Sequence, residues 1–82
     1  MSHRHLRPDQ CRAARGFLDW TQEELAHRAD VSRSTVRDFE QGRHALQAES
    51  ERRILAALDA AGILLIAPDD GGPGIRLRPH IP

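Results

Sequence analysis

The sequence predicts a mainly α protein of four to five helices, followed by a C-terminal β-hairpin or strand pair. Three observations carry that prediction. Apolar residues recur at spacings of three and four from Pro8 to Ala61, the period of a helix with one buried stripe. Between Thr21 and Glu40 the stretch TQEELAHRADVSRSTVRDFE breaks only at Asp30-Val31-Ser32, so two short helices meet at a tight turn. Beyond Gly62 the period changes, and an apolar run and an alternating apolar and charged run flank a loop rich in Gly and Pro.

Met1 to Arg7 carries His3, Arg4, His5 and Arg7 with little to bury, and reads as a flexible basic arm over residues 1–7. It is either a frayed terminus or an arm that settles on phosphates or in a minor groove. From Pro8 a first helix is expected. Proline suits its first turn, Asp9 complements the dipole, and Cys11, Ala14, Phe17 and Leu18 fall on an inner side. Trp20 follows at the junction, where its ring closes the bottom of a small core.

The second helix opens on a capping box. The Thr21 hydroxyl takes a backbone N–H, and Glu24 reaches back to the cap. Leu25, Ala26 and Ala29 form its narrow apolar stripe, and the small alanines let a neighbouring helix approach closely. Asp30 tolerates a left-handed backbone at the stop, Val31 is an apolar plug, and Ser32 caps the next helix. At about 100° per residue, Thr35, Val36 and Phe39 share the inner side of this third helix. Arg33, Ser34, Arg37 and Gln41 share the outer side. One flank packs and the other is free to touch a ligand, which is the plan of a DNA-reading helix-turn-helix.

These residues resemble the phage-repressor and Cro-like family, also called XRE-like helix-turn-helix proteins. The matching string is Thr21-Gln22-Glu23-Glu24-Leu25-Ala26, then Ala29, Val31-Ser32, Thr35-Val36, Phe39-Glu40 and Gly42, within a similarity running from about Pro8 to Ala61. The chain departs from the pattern at Asp30, where the family commonly has Gly. The resemblance implies a lambda-repressor-like fold and places the third helix in a major groove. It also implies that Gln22 anchors the start of the second helix on a phosphate, and that the loop holding Arg43 lies along the DNA backbone.

After Glu40, Gly42 stops the third helix in a left-handed conformation. Arg43 and His44 then occupy a loop, and a solvated charge is the alternative reading of Arg43. A fourth helix is expected from Gln47 to Ala61, with Ile54, Leu55, Leu58 and Ala61 inward, until Gly62 ends it. Residues 8–61 thus form the helix-turn-helix domain and residues 62–82 the hairpin. Ile63-Leu64-Leu65-Ile66 is apolar on both alternating faces, whereas Ile75-Arg76-Leu77-Arg78 alternates apolar with charged. One face of the first strand covers the fourth helix, and the other is left to bury against a second copy. Ile63, Leu64, Leu65 and Ile66 are therefore the expected dimerisation residues.

Composition narrows the function. Eighty-two residues suffice for one domain with a small core. All twelve basic residues are arginine and the formal net charge is zero, so any nucleic-acid affinity depends on a local field rather than on overall basicity. Cys11 is the only cysteine, which excludes an internal disulfide. No segment has the length and apolarity of a membrane span or the pattern of a secretion signal, and a cytoplasmic protein is expected. The five histidines, His3, His5, His27, His44 and His80, are scattered without the companions of a zinc site. The serines lack a His and acid arrangement, and the glycine-rich loop lacks the Lys-Ser/Thr ending and following helix of a phosphate cradle. No enzyme, metal or cofactor is expected.

The expected function is sequence-specific binding of double-stranded DNA by a homodimer on a palindromic operator. Gln22, Ser32, Arg33, Ser34, Arg37 and Arg43 are the contact residues, and Arg33 and Arg37 reach base edges or nearby phosphates. An antitoxin that binds a toxin protein and represses its own operon is the alternative. A helical interaction module without DNA binding is a third reading, drawn from the zero net charge.

Overall fold

The computed structural model describes residues 5–66, 72 and 74–77. They form four helices and a two-stranded antiparallel sheet: α1 Pro8–Leu18, α2 Gln22–Ala29, α3 Arg33–Glu40, α4 Ala48–Ala60, β1 Ile63–Ile66 and β2 Gly74–Leu77. The mainly α fold with a C-terminal strand pair is the one expected. Most of the glycine-rich loop, Arg78, and His3 and Arg4 of the arm lie outside the described residues.

Local chemistry sets the helix ends. Thr21 Oγ1 accepts from Glu24 N at 3.0 Å, which is the first half of the expected capping box. The second half does not form, because the Glu24 carboxylate instead accepts from Arg28 Nη2 at 3.1 Å, four residues on. Ser32 caps α3 through a 3.1 Å bond from Thr35 N. Gly42 and Gly62 take positive φ after α3 and α4.

Asp19 and Asp30 both adopt the left-handed conformation at the ends of α1 and α2. In each case the following residue donates back into the helix: Trp20 N to Arg15 O at 2.9 Å and Val31 N to Ala26 O at 3.0 Å. Aspartate bears this geometry at a cost near 1 kcal/mol that glycine avoids. Arg53 of α4 offsets part of it by donating from Nη1 to Asp30 O at 2.9 Å. Asp30→Gly retains that carbonyl and is expected to raise the midpoint of thermal unfolding by a few degrees, for a gain of up to about 1 kcal/mol. A lower midpoint would show that the carboxylate contributes more than the strain it imposes.

The core is continuous across all four helices and β1. Leu25, Val36, Ile54, Leu58 and Cys11 are fully buried, with Ala14, Ala26, Ala29, Phe39 and Ile63 around them. Leu18, Trp20, Val31 and Leu55 pack against this cluster from its margins. Phe17 is a correction to the expected inner side of α1, for it is 57% exposed. α1 docks through Gln10, Cys11, Ala14 and Leu18, and position 17 falls beside that stripe rather than within it.

The arm boundary also differs from expectation. Leu6 is buried in the core, and its N–H donates to Glu51 Oε2 of α4 at 2.9 Å. A lone leucine among His and Arg residues gives no periodic signal, so its anchoring was not legible.

Candidate nucleic-acid interface

α3 is clamped on one side and open on the other. Val36 and Phe39 enter the core, and Thr35 lies half-buried at the edge. Arg33, Ser34, Gln41, Arg43 and His44 are exposed, and the Arg37 side chain is 43% exposed. The sequence thus located the outer flank correctly, and the exposed guanidiniums of Arg33 and Arg43 have no ion-pair partner among the described residues. The Ser32 hydroxyl is occupied as the cap and also shares hydrogen bonds with Thr35 Oγ1 at 2.7 Å and Ser34 Oγ at 3.1 Å. Ser32 therefore fixes the start of α3 and holds Ser34 beside it.

The clamp centres on Glu40, to which the sequence reading gave a place in the family-matching string but no structural role. Its residue is 3% exposed. Arg15 of α1 grips the carboxylate bidentately, Nε to Oε2 and Nη2 to Oε1, both at 2.8 Å. Gln22 Nε2 donates to Oε1 at 3.0 Å, and Cys11 Sγ donates to Oε2 at 3.1 Å. Arg12 Nη1 donates to the Glu40 carbonyl, and Arg15 Nη1 donates to Trp20 O at 3.0 Å. One carboxylate therefore joins α1, the start of α2 and the end of α3. A signal was present: Glu40 stands four residues after Val36, on the packed face of α3, and Arg15 follows the inward Ala14.

Burial pushes the Glu40 carboxyl up, but its bonds from Arg15, Gln22 and Cys11 outweigh that and hold it below its ordinary value. The same partnership raises Arg15. Burial, with Glu40 second, pushes the Cys11 thiol far up, so it stays protonated as a donor within the cluster. Gln22 is at the start of α2 as expected, with its side-chain amide engaged by Glu40. Among the described residues no group of three or more His, Cys, Asp or Glu side chains could hold a metal ion.

The strand pair divides the four expected dimerisation residues. The register pairs Ile63 with Leu77, Leu64 with Arg76, Leu65 with Ile75 and Ile66 with Gly74. Ile63, 3% exposed, belongs to the core, and Leu65 and Ile75 pack against it on that face. Leu64 and Ile66 lie on the other face with Arg76, and Ile66 is 36% exposed. The hairpin is tied to α1 by Gln10, a buried side chain whose Nε2 donates to Gly74 O at 2.9 Å while its Oε1 accepts from Arg7 N at 3.1 Å.

A family profile described as a helix-turn-helix domain matches residues 4–65 of the 82. The chain belongs to this helix-turn-helix family. No curated protein matches it. The family match starts before Pro8 and ends after Ala61, so it takes in Leu6 and most of β1 as well as the helices. α2 and α3, two short helices joined through the tight turn at Asp30, Val31 and Ser32, lie within the matched residues.

Proposed function

We propose that this helix-turn-helix protein is a cytoplasmic, sequence-specific transcriptional regulator of the phage-repressor or XRE-like kind, acting as a homodimer on a palindromic operator. The observation that carries the reading is the two-sidedness of α3, with Val36, Phe39 and Glu40 locked inside while Arg33 and Ser34 stand in solvent. A rigidly backed helix can enter a groove and present the same side chains each time. Arg33 and Arg37 read base edges, Ser32 and Ser34 assist at the helix start, and Arg43 meets the backbone beyond its end. Gln22 contributes through the start of α2, where it both faces Glu40 and stands at a helix N-terminus suited to a phosphate.

The outward face of the strand pair supports the dimer. Leu64 and Ile66 present apolar surface on a two-stranded sheet, a unit that is marginal without cover, and a second copy of the same face would supply it. The zero net charge is no obstacle, because Glu40, Glu24 and Glu49 are each paired with arginines elsewhere in the fold.

Fluorescence anisotropy of the full chain on labelled duplexes across a salt series tests the proposal. Arg43→Ala is expected to weaken every duplex alike and to lower the salt slope by about one. Arg33→Ala is expected to weaken the operator by about 1–3 kcal/mol and unrelated duplexes far less. An unchanged salt slope in the first variant, or uniform weakening in the second, would reverse the assigned roles.

A toxin protein as partner is the second reading. A groove of about 540 Å³ between α2 and the end of α4, lined by Trp20, Glu24, His27, Arg28, Ala57 and Ala60, shares no residue with α3. A protein could occupy it while the DNA face stays open. A toxin-like gene beside this one, whose product binds the wild type but not Trp20→Arg, would favour this role.

A further inference from the structure

The Arg37 guanidinium leans sideways across α3. Its Nε donates to Asp38 Oδ1 at 3.1 Å, between side chains that are 43% and 24% exposed. Adjacent residues on a helix point apart, so this contact bends Arg37 out of its radial direction. At such exposure the pair adds little to stability. Its consequence is orientation: Nε is engaged, and the two Nη groups are left as a planar fork.

That fork suits the O6 and N7 acceptors of guanine, the commonest specific arginine contact in a major groove. It suits a phosphate poorly, since the Asp38 carboxylate at its flank repels the anion. The exposed Arg33 and Arg43 carry no such escort among the described residues. Asp38 also stands where the backbone is fixed, for its carbonyl accepts from Arg43 N at 2.8 Å and His44 N at 3.4 Å. A half-buried carboxylate on that fixed turn stays in place as Arg37 approaches a base.

We infer that Asp38 is a specificity-determining residue, which holds Arg37 as a reader of guanine and disfavours its use as a phosphate ligand. The inference rests on the DNA-binding reading above and assigns one of its contacts.

The test uses the full chain and a duplex recovered by selection from random sequence, with each G·C pair of a half-site replaced in turn by A·T or by 7-deazaguanine, which lacks N7. Wild type is expected to lose about ten- to hundredfold at one guanine per half-site. Asp38→Ala is expected to shrink that discrimination to about threefold or less and to raise the salt slope by about one, as Arg37 turns to the backbone. Asp38→Asn, which keeps an acceptor but not the charge, should fall between, and Arg37→Ala should lose the discrimination without the added salt slope. Circular dichroism of each variant should match wild type. Full discrimination retained in Asp38→Ala, or equal changes on every duplex, overturns the inference while leaving DNA binding intact. A wild type that binds no duplex at low salt overturns both.

Discussion

Arg15→Met is expected to destabilise the domain by about 3–5 kcal/mol, because it leaves the Glu40 carboxylate, 1% exposed in its side chain, buried without its cation. Many domains of this size have little more stability than that, so the variant should be substantially unfolded at 37 °C. The double variant Arg15→Met, Glu40→Met removes both charges and should recover much of the loss, since replacing a buried pair with apolar side chains is often neutral. Urea denaturation followed by circular dichroism measures both. A single-variant loss under about 1 kcal/mol would mean that water reaches the carboxylate.

The same cluster sets a pH dependence with a definite sign. Glu40 is held below its ordinary value of 4.5 when folded, so the stability it contributes is complete above that pH and is lost as pH falls below it. In Arg15→Met the burial that pushes the carboxyl up is no longer opposed by its arginine, and protonation relieves the buried charge. The stability gap between wild type and Arg15→Met should therefore narrow as pH falls, above 4.5 as the variant's raised carboxyl takes up its proton and below 4.5 as wild type loses the contribution of its own. A gap independent of pH would place its cause in lost packing by the arginine stem.

The second large effect is expected at the hairpin. Leu64→Lys with Ile66→Lys puts two cations on the outward face and leaves Ile63 and Leu65 to hold β1 against the core. On the proposed dimer, such a protein should keep its helical signal but sediment as a monomer at concentrations where wild type is expected to sediment as a dimer. Losing the second reading helix should then lower operator affinity by about 10²–10⁴-fold, the scale of a lost linked contact. A double variant that remains a dimer would move the interface elsewhere. Ile63→Lys is a different perturbation, because it buries a charge in the core and should unfold the chain.

How far the sequence disclosed this protein depended on whether a residue obeyed a local period or a long-range pairing. Caps and stops follow rules spanning four residues, and Thr21, Ser32, Asp30, Gly42 and Gly62 were all legible. The outer flank of α3 followed from helical geometry alone, because Val36 and Phe39 name the opposite side. Phe17 misled, since an aromatic at helical spacing was assigned inward when α1 docks through smaller side chains. Glu40, Gln10 and Leu6 were missed for a common reason: their partners lie 25, 64 and 45 residues away, and although helical spacing turns Glu40 toward the packed face, no local pattern names the partner. Likewise, an unbroken apolar run identified a strand at Ile63 to Ile66, but only its pairing and packing show which face enters the core.

Selection of bound sites from a random duplex library tests the central claim most directly, since it asks at once whether the exposed flank of α3 reads DNA and whether two copies read together. The account predicts enrichment of one palindrome whose half-sites lie about one helical turn apart, lost when Arg33 and Arg37 are both changed to Ala. No enrichment over the starting library, or the same enriched sequences from wild type and the double variant, would contradict it.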